Sequence, residues 1–162
     1  ADAYRGEAEY ETIAAVKSAV SIPIIANGDI DTPEKARHVL NFTKADGLMI
    51  GRAAHGNPWI FQQIKRYLSD NTQLAAPTNN EFNKIISEHL QNLYDFYGEL
   101  SGVRIARKHI AWYLKSSDIK DQGEKESFRK HINQIDDACT QLQQVMDFFK
   151  NKQSQLAAKK AA

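Results

Sequence analysis

Two short apolar runs limit what this chain can become: IPIIA at residues 22–26 and ADGLMIG at residues 45–51. Each reads as a strand, because it is brief, aliphatic and bounded by turn residues. Parallel strands need a crossover helix, and the spacing here, about two dozen residues, is that of one βα repeat. The intervening segment supplies the helix. Asp31-Thr32-Pro33 offers a cap followed by a proline set for the first turn, and PEKARHVLNFT continues it. Residues 7–20 form a preceding helix, with Tyr10, Ile13, Ala14, Val16 and Val20 near the helical period. Asn57-Pro58 repeats the cap-and-proline device before a third helix, WIFQQIKRYL.

The IPIIA run is continuously apolar, which fits a strand buried on both faces. Two strands cannot build such a sheet alone, since parallel sheets persist only when extended and covered. The sequence therefore predicts that residues 1–68 are the last part of a larger α/β domain whose earlier strands lie outside the chain. A small self-sufficient sheet is the alternative. Residues 69–80, SDNTQLAAPTNN, carry no period and read as a linker. Beyond them the chain is expected to be all helical over 81–162. One helix covers 81–98 with a stripe of Phe82, Ile85, Ile86, Leu90, Leu93, Phe96 and Tyr97, and a second covers 102–115. After a loop around Gly123, one long helix over 124–150 places Phe128, Ile132, Ile135, Cys139, Leu142, Met146 and Phe149 on a bundle seam, before a frayed tail. The fold class is thus α/β followed by all-α.

Composition narrows the classes further. With 42% hydrophobic and 25% charged residues the chain is globular, and a net charge of +1 by itself selects no partner. No apolar run approaches the roughly 20 residues of a membrane span. The first residues lack the basic-then-apolar order of a signal peptide, so a cytoplasmic location is expected. One cysteine, Cys139, excludes an intrachain disulfide and a cysteine-only metal cage. Its register with the apolar seam makes it a core residue rather than a nucleophile. The five histidines share no metal-ligand spacing, and no Ser/His/Asp arrangement or G-x-G-x-x-G run occurs. No metal site and no catalytic residue is therefore assigned.

The strand ends carry more chemistry. IIANGDI ends its strand at Asn27-Gly28-Asp29, and LMIGRAAHGNPW ends the next at Gly51-Arg52. Ligands of α/β domains bind at the carboxyl ends of parallel strands. Glycine there lets an anion reach backbone N–H groups, and an arginine fork matches phosphate oxygens. Asn27, Gly28, Asp29, Gly51 and Arg52 are thus candidate walls of one phosphate cradle, with His55 on the loop above. A plain turn beside a surface cation is the other reading.

A second constellation is RIARKHIAWYLK. At 100° per residue, Arg104, Arg107, Lys108 and Lys115 fall within an arc of about 100°, flanked by His109 and Trp112. Eight Lys/Arg against four Asp/Glu between residues 104 and 130 make the region locally basic. A basic helical stripe is the footprint expected for a phosphate backbone, although many such stripes are only solvated faces.

Together YRGEAEYETIAAVK, IPIIANGDIDTPEKA, ADGLMIGRAAHGNPWIF, DFYG and RIARKHIAWYL resemble, in order, the C-terminal portion of bacterial tRNA-dihydrouridine synthases of the B-type subgroup. The resemblance implies the last βα units of a TIM (β/α)8 barrel, followed by a helical tRNA-binding domain. It implies FMN as cofactor and NADPH as its reductant, with tRNA uridine reduced to 5,6-dihydrouridine. Asn27, Gly28, Asp29, Gly51 and Arg52 match the FMN phosphate segments, and the Arg107-Lys108-His109 helix matches part of the tRNA-binding domain. The family's acid is a cysteine on an earlier barrel loop, which has no counterpart here, so the chain alone is expected to be inactive and to lack its partner half-barrel. Another FMN-dependent barrel oxidoreductase and a stand-alone helical RNA-binding module remain as alternatives.

Overall fold

The structure, a computed structural model, describes residues 8–161. Residue 7, read above as the start of the first helix, lies outside that range. The chain forms two compact units divided between residues 75 and 76.

In the first unit, helix α1 (Tyr10–Ala19) precedes strand β1 (Ile25–Asn27), helix α2 (Pro33–Thr43) and strand β2 (Gly47–Met49). A short 3-10 turn (Arg52–Ala54) then leads into α3 (Ile60–Asp70). The strands pair in parallel, with Ile25, Ala26 and Asn27 opposite Gly47, Leu48 and Met49. Helix α2 starts as its sequence dictates: the Thr32 side chain accepts from the Lys35 N–H at 3.1 Å, and Pro33 occupies the first turn. Its buried residues Ala36, Val39 and Thr43 share a core with Tyr10, Ala26, Ile30, Ala45, Ile60 and Ile64. Asp46 fastens the entry to the sheet, accepting from the Ile24 N–H at 2.7 Å and the Lys17 ammonium at 2.6 Å. Those bonds, the Lys17 one foremost, hold its carboxyl below the usual range. At α3 the expected device fails. Its N-cap residue is Trp59, which makes no side-chain cap, and Asn57 instead accepts the Ile60 N–H through its backbone carbonyl at 3.3 Å.

The expectation that the first strand is buried on both faces is also corrected. Ala26 is fully buried, while Ile25 is 58% exposed and Met49 on the neighbouring strand 60% exposed. Successive side chains of a strand point to opposite faces. The face of Ala26 is covered, and the face of Ile25, Asn27 and Met49 is open.

The second unit consists of α4 (Asn79–Tyr97), α5 (Glu99–Ser116), α6 (Gln122–Ile132) and α7 (Ala138–Ala161). Thr78 and Glu81 form a capping box at α4: the Thr78 side chain accepts the Glu81 N–H at 3.3 Å and Glu81 accepts the Thr78 N–H at 2.7 Å. Helices α4 and α5 meet over Ile86, Leu90, Tyr94, Val103, Ala106, Ile110 and Tyr113, all buried. Phe96, read as part of the α4 stripe, is 81% exposed near the helix end.

The long helix expected over 124–150 is two helices, broken between Ile132 and Ala138. Asp137 starts α7 by accepting the Thr140 N–H at 2.6 Å, a cap signal that a continuous seam had concealed. The break shifts the register of α7, so its buried positions are Gln141, Val145 and Phe149, spaced by four. Cys139 is consequently exposed rather than in the core. Gly123 lies inside α6 rather than in a loop, and α7 stays helical to Ala161 where a frayed tail was expected. Buried Gln141 is satisfied by the Tyr94 hydroxyl at 2.9 Å and the Val103 carbonyl at 3.3 Å. His89 Nδ1 lies 2.9 Å from the Tyr113 hydroxyl. Burial pushes His89 below its ordinary value and Tyr113 up to about 12, so this contact joins a neutral ring to a protonated phenol.

Candidate functional site

Parallel register brings the two strand ends side by side, because Asn27 and Met49 are opposite each other. The Asn27 side-chain amide donates to the Met49 carbonyl at 2.9 Å and ties one end to the other. One residue on, Gly28 has φ +133°, a conformation that glycine adopts readily. Its carbonyl accepts from the Tyr10 hydroxyl at 2.9 Å. Asp29 follows with φ +46°, and both its oxygens are engaged: Oδ2 takes the Ala8 N–H at 2.9 Å and Oδ1 an Arg52 Nη2 donor at 2.6 Å.

That pair fixes what each group can offer an anion. An ionised carboxylate only accepts hydrogen bonds, so Asp29 reaches an anion through its backbone N–H alone. Its side chain aims the guanidinium of Arg52. Arg52 is 58% exposed along its side chain, so the guanidinium that Asp29 holds stands at the surface of the strand ends. At Gly51 a β-carbon would meet no protein atom within 4 Å, so the space over this backbone is open. Gly28 differs, since a β-carbon there would lie 2.4 Å from the Ala8 side chain. One strand end is thus packed and held in shape, and the other is open beside a cation. These residues fit a phosphate. His55 closes the 3-10 turn, its N–H donating to the Arg52 carbonyl at 3.0 Å.

On α5 the four basic residues divide. Arg104, Lys108 and Lys115 are exposed, and the Lys108 ammonium sits 5.1 Å from the centre of the Trp112 ring. Arg107 departs from the expected exposed stripe: its side chain is 24% exposed and paired with Asp136 at 2.6 Å. His109 lies edge-on between His89 and Trp112, at ring-centre distances of 4.7 and 5.0 Å.

The sequence reading found the two strand ends but not the Asp29–Arg52 pair, the Asn27 bridge or the tyrosine under Gly28. Those contacts join residues 18 to 23 positions apart, which no local period reveals. The Thr78-x-x-Glu81 spacing was a readable signal. Among the described residues, no group of three or more His, Cys, Asp or Glu side chains could hold a metal ion. No helix among them is long and apolar enough to cross a membrane.

The profile of the dihydrouridine synthase (Dus) family matches residues 1–153. tRNA-dihydrouridine synthase B of Pseudomonas syringae pv. tomato is 54% identical over 149 residues, covering 92% of this chain and 43% of that protein. The Pseudomonas putida protein of the same name is 52% identical over 156 residues, covering 96% and 45%. That of Vibrio vulnificus is 52% identical over 148 residues, covering 91% and 44%. The chain therefore spans somewhat under half the length of these relatives. With a profile matched along almost its whole length and relatives identical at half the aligned positions, this chain belongs to the dihydrouridine synthase family.

Proposed function

We propose that this chain supplies the phosphate grip and the tRNA-facing helices of a flavin-dependent tRNA-dihydrouridine synthase acting in the cytoplasm. FMN, recharged by NADPH, would supply the hydride that reduces uridine to 5,6-dihydrouridine. The observation that carries the reading is the meeting of two strand ends, one shaped by Gly28 and one left open at Gly51 beside an exposed Arg52. The N–H groups at 28, 29 and 51 would donate to the flavin's terminal phosphate, Arg52 would neutralise it, and Asp29 would hold Arg52 in place. Asn27 keeps the two ends in register. The open sheet face of Ile25, Asn27 and Met49 suits the inside of a TIM barrel, of which β1 and β2 would be the last two strands. Arg104, Lys108 and Lys115 would meet tRNA phosphates.

No residue here is assigned to protonate uridine. Cys139 is exposed on α7 of the second unit, whereas the strand ends belong to the first. The isolated chain is expected to leave tRNA unreduced and to bind FMN weakly, because the phosphate contacts alone contribute a few kcal/mol. A fluorescence titration with FMN and riboflavin tests the grip. FMN should bind more tightly, and Arg52→Ala should lower its affinity about tenfold or more, the loss typical of one charge-assisted bond. Equal affinity for the two flavins, or indifference to Arg52→Ala, would remove the reading.

A further inference from the structure

Arg107 belongs to the basic stripe of α5 by sequence but turns inward in the structure. Its Nη2 donates to the Ile135 carbonyl at 3.0 Å and to Asp136 Oδ1 at 2.6 Å. Its Nε is buried without a hydrogen-bond partner, beyond the reach of any approaching phosphate. Both acceptors lie in the non-helical corner between α6 and α7, where backbone carbonyls have lost their helical donors. Two further contacts from α5 hold the start of α7. Glu99 Oε1 accepts the Ala138 N–H at 3.2 Å, and the Val103 carbonyl accepts from the Gln141 side chain at 3.3 Å. Residues 99, 103 and 107 are spaced by four, so they form one line along α5. Arg104 and Lys108 stand off that line and remain exposed.

We propose that Arg107 is a positioning residue: it latches the α6–α7 corner onto α5, and the RNA-facing charge of this helix is carried by Arg104, Lys108 and Lys115 without it. The second half of the proposal rests on the tRNA-binding reading above; the latch itself does not. A guanidinium suits the task because its planar fork bridges a carbonyl and a carboxylate, which a lysine ammonium does not reproduce.

The test measures two quantities on the full chain: the thermal midpoint, and the salt dependence of binding to bulk transfer RNA. Arg107→Gln should lower the midpoint by about 4–8 °C. Arg107→Lys should lower it as well, although the charge is kept. Asp136→Asn should lower it less, and adding it to Arg107→Gln should cost less than the sum of the single effects, since the two residues share one interaction. The slope of log affinity against log salt should be unchanged in Arg107→Gln and should fall by about 0.7–0.9 in Arg104→Gln, one phosphate contact's worth. A parental midpoint in Arg107→Gln, strictly additive effects with Asp136→Asn, or a slope lost as in Arg104→Gln would each overturn the latch. Should Arg104→Gln leave the slope intact, the RNA-facing reading of α5 fails separately, and the midpoints still decide the role of Arg107.

Discussion

Gly102→Val will unfold the helical unit at much lower denaturant than the parent, at a cost of about 3 kcal/mol or more, the upper range for overpacking a closed contact. Gly102 lies where α5 crosses the end of α4. A β-carbon there would stand 2.7 Å from the Leu93 carbonyl oxygen and 2.8 Å from the Tyr94 Cα. Both are backbone atoms, so no side chain can swing aside. α4 cannot retreat cheaply either, because Leu90 and Tyr94 are buried in the same interface and Tyr94 bonds to Gln141 of α7. Gly102→Ala should cost less, since alanine regains about 1 kcal/mol of helix propensity against the same collision. Urea unfolding followed by circular dichroism reads both variants. A Gly102→Val chain that melts with the parent would mean that the helices cross with room to spare.

The second large effect is expected at the strand ends. Gly28→Ala should destabilise the first unit by about 1–3 kcal/mol, the usual cost of a residue held in a sparsely allowed conformation. Its φ of +133° disfavours any side chain, and the new methyl would press to 2.4 Å from that of Ala8. Relief of that contact moves the segment carrying the Tyr10 hydroxyl bond to Gly28 and the Ala8 N–H bond to Asp29. Asp29 would then lose its brace, and Arg52 its aim. Gly51→Ala supplies the contrast. It introduces a methyl into open space, so stability should match the parent while flavin phosphate binding weakens. The opposite pattern, a silent Gly28→Ala and a destabilising Gly51→Ala, would reverse the assignment of packed and open ends.

Legibility from sequence followed the range of the interactions. The first three helices, the two strands and the Thr32 cap were readable because their signals lie within a few residues of one another. Paired ends of successive strands were readable too, since a βα repeat puts them on the same side of a sheet. The break at residues 133–137 was not. Apolar residues at 132, 135, 139 and 142 keep a helical period across it, and only the Asp137 cap and the pull of Arg107 reveal the corner. Cys139 was misplaced for the same reason. Arg107 shows the limit of a helical wheel: it falls at the edge of the basic arc, between buried Val103 and exposed Arg104, and Asp136, 29 residues on, decides where its charge goes.

Amide chemical shifts of the labelled chain, followed while FMN is added, address the paired strand ends most directly. The account predicts that the Gly28 and Gly51 N–H signals move together along one binding curve, and that riboflavin, lacking the phosphate, leaves both in place. Movement of one glycine without the other, or equal shifts with riboflavin, would contradict it.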